Sequence, residues 1–280
     1  MNIISASRRT DLPAFYFDQF LMSLQNGFIE VTNPFNKKDK KIISLNKNDI
    51  AFFVFWTKYP INIIKNYNKI KDYRFYVLYT LNPYPAIIEP DFKNKKYLIE
   101  LFKKLSDIIS PSRVIWRYDP IIYSSYFNEN YHQENFEFLA SKLSNYTNKC
   151  IVSFVQFYRK NIKKLYNLGI KKLDYYKKLE IINKLNKIAK KYNIELNICC
   201  DEIVNINFNN SDIFNNYNIY DSINLIKSSC INSDIINNYY KTNFIFEKDK
   251  NQRLLCNCSK SIDIGNYKTC KFNCIYCYAK

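Results

Sequence analysis

Three cysteines crowd the last eleven residues of this 280-residue chain. Cys270, Cys274 and Cys277 stand in CKFNCIYC at spacing C-x3-C-x2-C, with Tyr276 immediately before the third. Thiolates are soft ligands, suited to zinc and to iron–sulfur clusters. A structural zinc site takes four protein ligands, and a cubane cluster has four iron corners. Three cysteines therefore leave one iron open, as a place for a substrate or cofactor. The alternative is a zinc ribbon made from Cys256 and Cys258 with two of the last three, although CNC leaves only one residue between its ligands where ribbons favour two to four. His132 is the sole histidine, which removes most histidine-based metal sites and catalytic triads; its helical context suggests a surface or capping role.

Six further cysteines remain. Cys150 opens the apolar run CIVSFV and reads as a small buried hydrophobe. Cys199 ends the run IELNIC, Cys230 lies in a polar connection, and Cys256 and Cys258 precede the tail by little more than ten residues. These four are expected to form a second closed site, holding an iron–sulfur cluster or zinc. Cys200 is left out because its side chain should point away from that of Cys199. The competing reading is scattered free thiols.

Charged and amide side chains recur where apolar runs end: Arg8, Arg9 and Asp11; Lys58; Arg117 and Asp119; Glu202. Each alone could be a cap or a surface charge, and Asp11 in TDLP has the form of a helix N-cap. Together they mark one converging face, where RRTD and WRYD would present guanidinium groups suited to carboxylate or phosphate. These seven residues are the candidate catalytic set.

The elements that must position them alternate. Strands are expected at residues 3 to 7, 28 to 33, 40 to 46, 51 to 57, 74 to 81, 113 to 119, 150 to 156 and 194 to 200. The second and third of these are expected to pair. Helices are expected near residues 13 to 26, 60 to 71, 91 to 109 and 133 to 143, with two basic helical stretches after the strand at 150. Most of these strands read as continuous apolar runs, which fits a parallel sheet covered on both faces. Such alternation predicts an α/β fold, a (β/α) barrel that is TIM-like or partial, with the cysteine loop at its C-terminal end. One domain spans residues 1 to 280, and residues 250 to 280 form an iron–sulfur-binding segment within it.

Hydrophobic residues make up 47% of the chain, enough for a full core. No apolar run approaches the ~20 residues of a bilayer span and no secretory signal opens the chain, so a cytoplasmic protein without a membrane partner is expected. In that compartment cysteines stay reduced, and their clustering points to metal. The net charge is +17, and residues 159 to 191 hold 12 Lys and Arg against 2 Asp and Glu. A solvated basic helix face in a Lys- and Asn-rich chain accounts for this, and a nucleic-acid partner is compatible with it.

The stretch CKFNCIYC resembles the C-x3-C-x-aromatic-C signature of radical S-adenosylmethionine (SAM) enzymes, and CIYCYA is similar to the spore photoproduct lyase branch. SRRTDLPAF, NPFN, VFWTKYP, VIWRYDPI and SIDIGNYKTC together resemble an uncharacterised bacterial family whose C-terminal cysteine cluster has been likened to that motif. The resemblance implies a partial or full barrel, a [4Fe-4S] cluster on Cys270, Cys274 and Cys277, SAM on the open iron, and Tyr276 beside the adenine. It implies generation of a 5′-deoxyadenosyl radical to act on an unknown substrate, with an electron donor such as ferredoxin or flavodoxin. In most such enzymes the cysteine loop follows the first strand, whereas here it follows SIDIG, the last. A glycine-rich SAM-binding segment is also lacking, since the glycines are Gly27, Gly169 and Gly265. The alternative function is a non-catalytic iron–sulfur or zinc protein that binds nucleic acid through its basic face.

Overall fold

In the computed structural model, the described residues are 1–34, 36, 38–205, 226–227 and 229–280. Eight strands form one sheet: β1 (Asn2–Ala6), β4 (Ile50–Thr57), β5 (Phe75–Thr80), β6 (Val114–Ile121), β7 (Lys149–Phe154), β8 (Glu195–Ile198), β9 (Ile226–Lys227) and β10 (Ile262–Asp263). Their order is β10-β1-β4-β5-β6-β7-β8-β9, and every neighbouring pair is parallel. β2 (Phe28–Thr32) and β3 (Lys40–Ser44) pair antiparallel beside it, as their sequences suggested.

Period-two alternation sends successive side chains to opposite faces of the sheet. Ile4, Phe53, Phe55, Val77, Trp116 and Val152 pack on one face, in a cluster that takes in the apolar stripes of the helices. These helices are α1 (Leu12–Phe15), α2 (Phe17–Asn26), α3 (Ile61–Lys65), α4 (Tyr67–Ile70), α5 (Lys95–Ile109), α6 (Glu129–Leu143), α7 (Ile162–Asn167) and α8 (Tyr175–Lys191). Ile3, Phe52, Val54, Tyr76, Leu78, Ile115 and Ile151 face the other way. There they meet Cys230, Ile231, Cys256, Cys258 and Ile236, the last from α9 (Ser233–Tyr240).

This second face explains a departure from expectation. Among the described residues the sheet does not close: β10 and β9 remain its edges, each two residues long. A closed barrel fills its interior with its own strand side chains. Here the equivalent face is covered by the segment around Cys230, α9 and Cys258, of which the sequence suggests a polar connection at Cys230.

Caps set the helix boundaries. Asn94, Asn128, Asp174 and Asn232 each accept a backbone N–H from their helix's first turn, so α5 begins after Asp91 and α6 before Gln133. The helices expected at 13 to 26 and 60 to 71 are each broken once, at Tyr16 and Asn66. On α8, Lys177, Lys178, Lys184 and Lys191 are engaged with Glu180, Asp201, Glu202 and Glu137, so part of the basic face is neutralised in place. No described helix is long and apolar enough to cross a membrane.

His132 is a correction to the surface role. It is wholly buried on α6, with Nδ1 2.8 Å from the Tyr118 hydroxyl and Nε2 2.7 Å from the Ile122 carbonyl. The consistent tautomer donates from Nε2–H to the carbonyl and accepts the Tyr118 proton at Nδ1. Burial pulls its pKa down to about 4. A depressed histidine stabilises the fold fully above its unfolded value of about 6.5, and that contribution is lost as pH falls through about 4. Since the chain has one histidine, its ring-proton resonance is unambiguous: it should stay at the neutral position from pH 7.5 to about pH 5. Titration near 6.5 would show that the ring is solvated.

Candidate functional site

In a parallel sheet the C-terminal ends of the strands share one edge, which is where α/β proteins gather their chemistry. The tail is bound to that edge through β10. Asp263, the last residue of β10, accepts from the Ser5 hydroxyl (2.9 Å), the Ser7 hydroxyl (2.5 Å), the Arg8 backbone N–H (2.8 Å) and the Gly265 N–H (3.1 Å). The Arg8 and Arg9 guanidiniums approach the same carboxylate at 3.8 and 3.9 Å. Gly265 is required by this closeness, because a Cβ there would lie 2.1 Å from the Ser7 hydroxyl oxygen.

Beyond Gly265 the chain crosses the strand ends. The Tyr16 hydroxyl donates to the Thr269 carbonyl at 2.6 Å, Phe272 packs between Phe15 and Phe92, and the Ile275 N–H donates to the Ile88 carbonyl at 3.1 Å. Tyr276 goes deepest. Its hydroxyl donates to Glu89 and accepts from Asn82, while the Asn161 amide donates to its carbonyl at 3.0 Å. Tyr278 closes the strap by donating to the Arg8 carbonyl at 2.9 Å.

Under the strap lies a connected polar layer. Glu89 is held by Lys58 at 2.7 Å and Lys95 at 2.6 Å. Burial opposes its ionisation, but the two ammonium groups prevail and hold it at about 2. Asn82 bridges Glu89, the Asp119 backbone and Tyr276. Arg117 pairs with Asp119 at 2.6 Å and lies over the Trp56 ring at 4.8 Å, and Ser153 donates to the other Asp119 oxygen. Burial weighs against the Arg117 charge, yet Asp119, Cys230 and Cys199 leave its pKa raised. Its buried Nε has no acceptor among the described residues.

The three tail cysteines meet above this layer. Each is half-buried, and they are near enough to influence one another's ionisation. Backbone N–H groups of Asp11 and Phe272 bond to Cys270, and that of Ala279 donates to Cys277 at 3.4 Å. Burial pushes the Cys274 thiol up to about 12, although Lys58 pulls it the other way. Among the described residues, no group of three or more His, Cys, Asp or Glu is arranged to hold a metal ion as it stands.

Of the candidates read from sequence, Arg8, Arg9, Asp11, Lys58, Arg117, Asp119, Tyr276, Cys270, Cys274 and Cys277 come together at this edge. Asp11 is committed to structure: it caps α1 through the Ala14 N–H and takes the Thr57 hydroxyl and the Lys58 N–H, each at 2.7 Å. Burial raises its pKa to about 6. Glu202 stands apart, exposed and bound to Lys178 at 3.3 Å, at a cavity of about 290 Å³ lined also by Gln156, Lys171 and Lys172. Cys199, Cys230, Cys256 and Cys258 lie on the sheet's second face. Cys200 joins the same cluster, since its backbone is left-handed (φ 54°) and the strand alternation used to set it aside has already ended at Ile198. Glu89 and Asp263, the two hubs, were missed. Glu89 follows no strand directly, and Asp263, although it lies within SIDIG, shows its role only through its tertiary contacts.

Replacing Glu89 by Gln should leave two buried ammonium groups without a counter-charge and loosen the Tyr276 anchor. The expected cost at pH 7 is about 3–5 kcal/mol in urea unfolding. The contribution of a depressed carboxylate is complete above its unfolded value and lost as pH falls through its folded one, so the gap between wild type and Glu89→Gln should narrow between pH 4.5 and about 2. A constant gap over that range would show that Glu89 is not ionised in the fold.

Comparison with known proteins places this geometry in a family. No curated protein and no solved structure matches the chain significantly. One family profile, described as a domain of unknown function (DUF1848), matches residues 3–279, from β1 through the polar edge to the last cysteine and beyond. The chain therefore belongs to the DUF1848 family, whose boundaries take in both the sheet and its cysteine strap.

Proposed function

We propose that this protein is a radical SAM-like enzyme, with a [4Fe-4S] cluster on Cys270, Cys274 and Cys277 and a partial barrel as its scaffold. The observation that carries the reading is the position of the three thiols: a C-x3-C-x-aromatic-C loop strapped across the C-terminal edge of a parallel sheet, over a buried layer of paired charge. The donor set suits the group. The three sulfurs neighbour one another, and backbone N–H groups face two of them.

The sheet order is also compatible with a C-terminal cluster loop. β10 lies at the edge beside β1, so the strand that delivers the cysteines is spatially first although last in sequence. A permuted connection thus presents the loop as a first strand would.

When bound, such a cluster supplies one-electron reductive cleavage of SAM at its open iron. The chain's own groups position and shield. Lys58, beside Cys274 and bonded to Glu89, places positive charge against the thiolates. Tyr276 holds the loop down by its hydroxyl, with its ring against Tyr84 and Lys58, and is the residue beside which the adenine would lie. Arg117, oriented by Asp119 and carrying a free Nε–H, is suited to an anionic group of SAM or substrate. A one-electron donor such as ferredoxin or flavodoxin is the implied partner.

Protein purified and reconstituted without oxygen, given dithionite and SAM, should release 5′-deoxyadenosine and contain about four irons that depend on the tail cysteines. Arg117→Ala should lower that release by at least about tenfold while retaining the iron. Full iron loading with no 5′-deoxyadenosine above the dithionite-only background would contradict the enzyme reading.

A further inference from the structure

A second group of thiols lies on the opposite side of the polar layer, in a region the proposed reaction does not use. Cys199 follows β8, Cys230 precedes α9, and Cys256 and Cys258 sit in the segment leading to β10. All four are buried. The Cys199 and Cys230 sulfurs are 3.5 Å apart, and Cys258 is in hydrogen-bonding contact with both Cys230 and Cys256. Four sulfurs thus form a continuous string drawn from three separate parts of the chain.

From these contacts we infer that Cys199, Cys230, Cys256 and Cys258 are the ligands of a single zinc ion. The spacing decides between metals. A tetrahedral site with Zn–S bonds of ~2.3 Å has sulfur–sulfur edges of about 3.8 Å, close to the 3.5 Å between Cys199 and Cys230. Cubane thiolates, by contrast, bind irons at separate corners and stand well beyond contact with one another. The short C-x-C spacing, poor for a ribbon knuckle, is held here by its surroundings: the Cys256 N–H donates to the Arg253 carbonyl, the Asp249 N–H to the Cys258 carbonyl, and the Ser259 N–H to that of Ile231. Both Cys256 and Cys258 are buried in the same cluster as Cys199 and Cys230.

The surroundings are those of a thiolate site. The Ile231 N–H donates to the Cys258 sulfur at 3.4 Å. Tyr76, the second residue of β5, donates to the Cys230 carbonyl at 2.7 Å and accepts from the Asn232 N–H at 3.1 Å, which fixes the Cys230 turn to the sheet. Binding releases four protons and leaves a tetrathiolate zinc with a net charge of −2. The guanidiniums of Arg8, Arg117 and Arg253 lie within electrostatic reach of the four sulfurs. As neutral thiols the sulfurs bond along the string; metal draws its ends, Cys199 and Cys256, around one centre. Four protein ligands leave no open position, so the ion is structural and locks the segment from Cys230 to Cys258 onto the sheet.

The test uses the full chain carrying Cys270→Ser, Cys274→Ser and Cys277→Ser, which removes the tail site and makes the result independent of the proposed reaction. Grown with zinc and purified without oxygen, it should hold about one zinc per chain, and adding Cys230→Ser should abolish this. Alkylation mapped by mass spectrometry covers the case in which that last variant fails to fold. In the unaltered chain, removing zinc with a chelator should expose Cys199, Cys230, Cys256 and Cys258 together, and returning zinc should protect all four. Iron in place of zinc, or chelator-independent labelling of these cysteines, would overturn the assignment.

Discussion

The carboxylate of Asp263 is the contact on which the remaining architecture depends. It lies at the end of a two-residue strand, which has little pairing energy of its own. Four donors from two chain segments converge on it, with two guanidiniums behind them. Hydrogen bonds to an ionised, buried acceptor are among the strong ones, and each would be costly to leave unmade. Through them the last strand is fixed to the first, and everything after Gly265 is delivered across the strand ends rather than into solvent.

From that anchor the two cysteine groups acquire different characters. The tail thiols are half-buried above a layer of paired charges, where a ligand could reach them. The inner thiols are buried among Ile3, Phe52, Tyr76 and Ile151, closed to any substrate. Arg117 stands between the two, paired to Asp119 on one side and within the field of Cys199 and Cys230 on the other. It is thus the side chain through which the two cysteine groups share one electrostatic environment.

Much of this was legible in the amino acids, and what was not has physical causes. β4 and β5, as AFFVFWT and FYVLYT, are apolar on both faces and could hardly be anything but buried strands. Arg8, Lys58, Arg117 and Asp119 were found because polarity at the end of such a run is conspicuous. Glu89 was not, because it follows no strand directly and owes its role to Lys58, Lys95 and Tyr276 arriving from elsewhere. His132 was misjudged for a related reason: its partners, Tyr118 and Ile122, come from a strand and its following loop, and a helical sequence does not show which face they cover. The open sheet was hidden because α9, a short helix in an Asn-rich stretch, carries only Ile236 fully into the core. The four inner cysteines were grouped by elimination; the reason Cys200 was excluded did not hold, since chain direction changes at its left-handed backbone.

The claim at the centre is that the strapped tail leaves one iron of its cluster open to SAM. Hyperfine spectroscopy of the reduced cluster with SAM labelled with nitrogen-15 at its amino group addresses this directly. Coupling between the label and the cluster spin, absent in the Cys274→Ser variant, is the predicted result. A reduced [4Fe-4S] signal that shows no coupling and is unchanged by saturating SAM would contradict the account, whatever else the protein binds.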